Sequence, residues 1–333
     1  MTQAEVEISV PGAMLAGTLA LPAGDPAPGV MLIGGTFSDL RDGDPDPRHW
    51  PDIPPHGMYR VLSDALLGVG FAVLRFDRRG CGASGGERPD RATEISDARA
   101  AWEFLENRHD VAGAWGMVGE SAGAYVLCRL AAAGAQPRAA VLQGALYRSI
   151  AGLVEFNSSR AREYWERGEA EREWMWAAAR REYESAVTGA ALVTAIREGR
   201  RSFIVEDSRG SFERSIEGLQ YDLDHPPADQ FRSLTCPCLV LHGADDLNVP
   251  VTDAFDTTRA LWASGNRDVD LTVIARADHS MQATPADDGV RLRERMSFAS
   301  FRRPFVARYP AVVADFLRGV RDRGGEVGGR ESR

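Results

Sequence analysis

Five residues, Gly119-Glu-Ser-Ala-Gly123, restrict the fold of this 333-residue chain more than any others. They stand between a short apolar run (Trp115, Met117, Val118) and a small-residue helical stretch from Ala122 to Ala133. A serine at a sharp strand-to-helix turn has its hydroxyl pushed out of the backbone and into solvent. Glycines two residues before and after it are needed because side chains there would collide as strand and helix close up. The pattern predicts a strand before Ser121, a helix after it, and Ser121 itself as a candidate nucleophile.

The rest of the chain supplies further strands and helices. Val6–Val10 and Leu15–Leu21 alternate around Pro11-Gly12 and read as an N-terminal hairpin. Gly29–Gly35 is continuously apolar, the pattern of a strand buried on both faces, and a polar, Pro-rich loop from Phe37 to Gly57 follows. Met58–Leu67 reads as a helix, Gly70–Arg75 as a buried strand, and residues 92–107 as a helix with Ile95, Ala98, Trp102 and Leu105 on one face. Beyond the serine turn come strands at Ala139–Leu142, Pro237–Leu241 and Val269–Ile274, a helix at Val251–Ser264, and a closing helix from Pro310 through Val320. This alternation predicts an α/β fold, with a mostly parallel central sheet flanked by helices.

The alternation stops between Tyr147 and about Arg232, where no buried strand is evident. Residues 160–184 are about half charged yet carry Trp165, Trp174 and Trp176. The expectation is a core of residues 1–146 and 233–322, a helical cap inserted at 147–232, and a disordered tail at 323–333. The tryptophans would anchor the cap to the sheet. A cap encloses the space above the serine turn and excludes water from it.

Composition removes several function classes. A net charge of −9 repels a phosphate backbone, so nucleic acid is not an expected partner. All 39 basic residues are arginine, a codon bias of the GC-rich kind that hints at a bacterial source; lacking lysine, the chain can use neither a Schiff base nor a Ser-Lys dyad. Met1–Val10 carries Glu5 and Glu7 and no signal-peptide core, and no run approaches the ~18 apolar residues of a membrane helix, so a cytoplasmic protein with no membrane partner is expected. Cys81, Cys128, Cys236 and Cys238 lack the density of a disulfide framework, and Cys236-Pro-Cys238 lacks zinc spacing, so these are read as structural cysteines, with no metal.

A serine hydroxyl needs a base within hydrogen-bond reach, and the base needs an acid to fix its tautomer. Of six histidines, His49 and His56 lie in the Pro-rich loop, His109 in the connection before the serine strand, and His225 in the cap. His242 lies too close in sequence to the candidate acid to be oriented by it. His279 follows the last strand, at an end where open α/β sheets gather their ligands, and is the predicted base. The acid comes from Asp245 or Asp246 in His242-Gly-Ala-Asp-Asp-Leu-Asn-Val-Pro250; the distance to Val249-Pro250 selects Asp246 and leaves Asp245 as a solvated turn residue. A tetrahedral intermediate also needs two N–H donors. Ala122 supplies one, and the loop after Gly35 the other, with Thr36 the first choice and Phe37 the second. Arg291, Arg293, Arg295, Arg302 and Arg303 form either an entrance for acidic substrates or, as the simpler expectation, a solvated basic face.

With these residues in place, the chain outside the cap resembles the α/β-hydrolase family. Gly35-Thr-Phe-Ser-Asp-Leu-Arg-Asp-Gly43 is similar to the oxyanion strand-loop of its serine aminopeptidase-like and acyl-peptidase-like members. Phe71–Ser84 resembles their next strand and turn, with Asp77, Arg78 and Arg79 holding the turn, and His242–Pro250 resembles their acid loop. Gly34-Gly35 stands where family members often carry His-Gly. The resemblance implies hydrolysis of a small-molecule ester, amide or thioester through an acyl-enzyme, without metal or organic cofactor. Acyl transfer or thioester cleavage in a biosynthetic pathway, and lyase or cyclase chemistry that leaves the serine unacylated, are the alternatives. The oligomeric state stays open, a homodimer included.

Overall fold

The computed structural model describes residues 1–207, 210–216, 220, 223, 225 and 227–328. The strands in chain order are β1 (Thr2–Val10), β2 (Ala13–Leu21), β3 (Ala27–Ile33), β4 (Ala72–Phe76), β5 (Val111–Glu120), β6 (Ala139–Gln143), β7 (Ser202–Asp207), β8 (Gly210–Ser215), β9 (Cys238–Gly243) and β10 (Val269–Ile274). The helices are α1 (Met58–Gly68), α2 (Arg91–Glu106), α3 (Ala122–Ala132), α4 (Ile150–Trp165), α5 (Glu169–Ala178), α6 (Arg180–Thr188), α7 (Ala190–Arg197), α8 (Thr252–Ala263), α9 (Asp288–Met296) and α10 (Arg308–Gly328).

Eight strands form one sheet in the order β1-β2-β4-β3-β5-β6-β9-β10. β2 is antiparallel to both β1 and β4, and every pairing from β4 to β10 is parallel. The sheet separates two apolar layers. One contains Trp102 and Leu105 of α2, Val126, Leu127 and Leu130 of α3, and Leu261 of α8. The other contains Leu62 and Leu66 of α1 and Val313 and Leu317 of α10. Burial on both faces explains why β4, β6 and β9 read as unbroken apolar runs. Each such leucine contributes about 1.5–3 kcal/mol of transfer free energy. Because β3, β5, β9 and β10 run parallel, the loops that leave them gather at one edge, and those loops carry Thr36, Ser121, Asp246 and His279.

The segment between β6 and β9 differs in part from the helical cap expected from sequence. Among the described residues it has the four helices α4–α7; Ser149 caps α4, its Oγ accepting the Gly152 N–H. It also contains an antiparallel hairpin, β7 with β8, forming a separate two-stranded sheet. The hairpin escapes a search for buried strands because it stays near the surface, with Ile204 59% exposed. The tryptophans are not anchors to the sheet either. Trp165, Trp174 and Trp176 pack around Tyr164, Met175 and Tyr183 of α4–α6, and Met296 of α9 closes that cluster. α10 continues to Gly328, past the point where the tail was expected to lose order, since extending a formed helix costs little per residue. Residues 329–333 lie outside the described residues. No described helix is long and apolar enough to cross a membrane.

Buried polar contacts cross the second layer, among them one from α10. Tyr309 of α10, fully buried, donates its hydroxyl to Gln143 Oε1 at 2.7 Å. Removing that hydroxyl leaves a buried amide oxygen without a donor. Tyr309→Phe is expected to lower unfolding free energy by about 1–3 kcal/mol, measured as a fall in the urea midpoint at unchanged slope.

Candidate active site

Ser121 sits at the turn from β5 into α3 with φ 52° and ψ −118°, a conformation that side-chain-bearing residues rarely adopt. Its N–H is tied to Gln143 O at 2.8 Å. The flanking glycines are needed for space: a Cβ on Gly119 would lie 2.6 Å from Ala124 Cα, and one on Gly123 would lie 2.1 Å from Ile33 O. The turn therefore stores strain that the packing of β3, β5 and α3 maintains.

Asp246 leaves the end of β9 and His279 follows β10. Their side chains meet at 2.7 Å, Asp246 Oδ2 to His279 Nδ1. An ionised carboxylate only accepts, so Nδ1 carries the proton and Nε2 of the neutral ring is left basic. Asp246 Oδ1 also accepts from the backbone N–H of Asn248 (2.7 Å) and Val249 (2.9 Å). Burial alone would raise the Asp246 carboxyl, but His279 and His242 outweigh it and hold the group well below the usual carboxylate range. For His279 burial disfavours the charged ring; the charge and hydrogen bond of Asp246, with Glu120 nearby, overcome this and raise the imidazole above its ordinary value. Gly144, at φ 56°, gives the ring its room: a Cβ there would lie 2.9 Å from His279 Cε1.

His279 Nε2 is buried, makes no hydrogen bond, and lies 3.8 Å from Glu120 Oε1. It borders a cavity of about 180 Å³ whose wall includes Ser121, Ala122, Thr36 and Phe37 from the sheet side and Asn157, Glu182 and Leu192 from α4, α6 and α7. All six residues singled out as site candidates are thus brought to one place, except that Asp246 stands behind His279 rather than in the wall.

Other readings need correction. His242 does touch the acid, its Nε2 lying 3.2 Å from Asp246 Oδ2 and 3.0 Å from Val249 O; the β9 turn folds the two together despite their closeness in sequence. It is fully buried and outside the cavity wall, so it supports Asp246 and cannot reach Ser121. Asp245 is not a solvated turn residue but is bound by Thr284 Oγ1 and paired with Arg291. Of the five arginines read as a solvated basic face or an entrance for acidic substrates, only Arg295 lines the cavity; Arg291 and Arg303 are paired with Asp288 and Glu294. His56 also lines the cavity, but its ring packs on Phe301 and burial draws it down to about 4.

Two residues of the loop after β3 owe their placement to groups that sequence reading passed over. Glu120 Oε2 accepts the Gly35 N–H at 2.7 Å and the Ser38 hydroxyl at 3.1 Å. The signal was available: β3 neighbours β5 with Ile33 opposite Gly119, so the residue before the serine must face that loop. Arg78 does more than hold its own turn. It donates to Gly35 O at 2.6 Å and pairs with Asp39 and Glu94. With Gly35 N–H engaged, Thr36 and Phe37, both in the cavity wall, have N–H groups that no described residue accepts from. Asp77 and Arg79 do hold the turn, through Arg41 and Asp97.

The described residues offer one cluster with mixed metal-binding atoms, Asp46, His49 and Cys81, within 4.8 Å of one another. Arg48 already occupies both oxygens of Asp46, and burial pushes the Cys81 thiol up to about 11. That donor set fits a salt bridge better than a cation.

Comparison with known proteins gives the same architecture. An esterase of Pyrococcus furiosus superposes with a TM-score of 0.56 at 18% identity, covering 95% of this chain and 90% of the esterase. The esterase domain of a Rhodothermus marinus protein gives 0.52 at 18% identity over 91% and 99%. Est1E of Butyrivibrio proteoclasticus, solved with ferulic acid bound, gives 0.55 at 14% identity over 90% and 98%. An uncharacterized protein of Mycobacterium tuberculosis is 40% identical over 102 residues, which is 30% of this chain and 35% of that protein, so the match spans about a third of the relative's length. The family model described as the alpha/beta hydrolase family matches residues 22–292, and the chain belongs to that family.

Proposed function

We propose that the protein is a serine hydrolase that cleaves a carboxylic ester of a small molecule through an acyl-enzyme. The observation that carries this reading is the 2.7 Å contact between Asp246 and His279 beside a cavity that Ser121 also lines. Ser121 Oγ attacks the ester carbonyl as His279 Nε2 takes its proton, while Nδ1–H stays with Asp246. The carbonyl oxygen becomes an oxyanion, received by the N–H groups of Ala122, at the positive end of α3, and of Thr36. Collapse breaks the ester C–O bond, and the proton on Nε2 passes to the departing alcohol. Water, deprotonated by the same nitrogen, then attacks the acyl group and releases the acid. The hydrogen bond from Ser121 to Nε2 forms as substrate seats, since catalytic contacts commonly tighten only then. The residues between β6 and β9 act as a cap that keeps water from the acyl-enzyme.

Ser121→Ala should abolish both labelling by a fluorophosphonate probe and hydrolysis of p-nitrophenyl esters, the latter by roughly 10⁴-fold or more. Labelling of the wild-type chain at any other residue, with Ser121 untouched, would overturn the assignment. The protonated ring cannot accept the serine proton, so kcat/KM should be low in acid and rise to a plateau as pH increases through the His279 pKa. Since that pKa is raised, the midpoint should fall above the ordinary histidine value of about 6.5. A rate that is flat across that range, with chemistry limiting, would exclude His279 as the base. Gly144→Ala should displace the imidazole and lower kcat by about 10- to 100-fold with little change in circular dichroism.

A further inference from the structure

One end of the cavity borders a cluster of buried charges that ester cleavage does not require. Two guanidinium groups, Arg160 of α4 and Arg295 of α9, flank a single carboxylate, Glu182 of α6, and their side chains are 13%, 11% and 6% exposed. Arg295 donates to Asn248 Oδ1, and Arg160 donates to Asn157 Oδ1 at 2.8 Å. Glu182 stands 3.5 Å from Arg295 Nη1 and 4.0 Å from Arg160 Nη2. Nε and Nη1 of Arg160, Nη1 of Arg295 and Oε2 of Glu182 are all buried and make no hydrogen bond among the described residues. Glu182 is thus shared between two guanidinium groups and fully paired with neither. Burial, and after it the like charge of Arg295, bring Arg160 down to about 10, while Glu182 and Asp246 act the other way.

Such an arrangement is a poor way to stabilise a fold, because apolar residues of similar volume would serve as well or better. It is a good way to receive an anion. Arg295, Glu182, Asn157 and Asn248 all line the cavity that Ser121 and His279 border. Arg295 is close enough for its charge to oppose protonation of His279. A guanidinium presents two parallel N–H donors that match a carboxylate.

We propose that this end of the cavity is an anion subsite in which Arg295, backed by Arg160, binds a free carboxylate of the substrate, so that the preferred ester carries a second, ionised carboxyl group. The proposal rests on the ester-hydrolase reading of Ser121 and narrows its substrate class. Arg295 holds the carboxylate from the cavity wall, Arg160 adds its charge from behind that wall, and Glu182 limits the positive charge while the subsite awaits it.

The test compares kcat/KM for two esters of equal chain length, mono-p-nitrophenyl glutarate and p-nitrophenyl valerate, which differ in one terminal carboxylate. The wild-type ratio should favour the glutarate ester by about tenfold or more. Arg295→Met should reduce that ratio by a similar factor, and Glu182→Gln, which removes the competing carboxylate, should increase it. A purely structural role would not move the two variants in opposite directions. Should Arg295→Met fail to fold, the wild-type ratio and Glu182→Gln decide. A wild-type ratio of one or less, with valerate ester turned over by Ser121, would overturn the subsite and leave ester hydrolysis standing. Failure to turn over either ester, with Ser121 unlabelled by the fluorophosphonate probe, would overturn the reading beneath it.

Discussion

Asp246 has been taken almost wholly out of water, and a carboxylate so placed keeps its charge only if the protein answers it from within. Four groups do so: the backbone N–H of Asn248 and Val249 on one oxygen, and the rings of His279 and His242 against the other. This requirement shapes what lies around it. The chain must turn sharply after β9 to aim two amides at the carboxylate, His242 must end its strand pointing inward, and Gly144 must lack a side chain so that His279 can lie close. The sheet supplies the distances, since β6, β9 and β10 are neighbours and bring Gly144, Asp246 and His279 to one edge.

Around this buried pair the wall of the cavity is polar on an apolar foundation. Glu120 spends one oxygen on the loop after β3, fixing Gly35 and Ser38, and leaves the other near His279. Arg78 holds the same loop from the far side through its carbonyl oxygens. The loop is thus clamped by opposite charges that read its N–H and C=O groups separately, while no described residue accepts from the Thr36 N–H.

The fold was legible because its strands are buried on both faces: continuous apolar runs at β3, β4, β6 and β9 can hardly be anything else once helices alternate with them. Ser121, Asp246 and His279 could be picked out because sequence position alone places each at the carboxyl end of a parallel strand. The hairpin β7–β8 was not legible, since a surface hairpin does not need apolar residues. The packing of Trp165, Trp174 and Trp176 on the helices of their own segment is hidden for a different reason. An aromatic residue marks burial but not the surface that buries it, and here α4, α5, α6 and Met296 provide that surface. The contact of His242 with Asp246 is not legible either: residues four apart on an extended strand stand far from each other, whereas the turn after β9 reverses the chain within four residues.

The arginines show where the limit lies. All five of the stretch from Arg291 to Arg303 look alike in sequence, yet their environments divide them. Arg291 and Arg303 face carboxylates that neutralise them, while Arg295 meets Arg160 across a single glutamate. What separates them is which partner the fold brings from a distant segment, and α4 and α6 contribute theirs from more than a hundred residues away. The sheet and its loops hold Ser121, Asp246 and His279, whose places at strand ends can be read along the chain. The charges that α4, α6 and α9 bring together meet only after folding, so the sequence does not show them as neighbours.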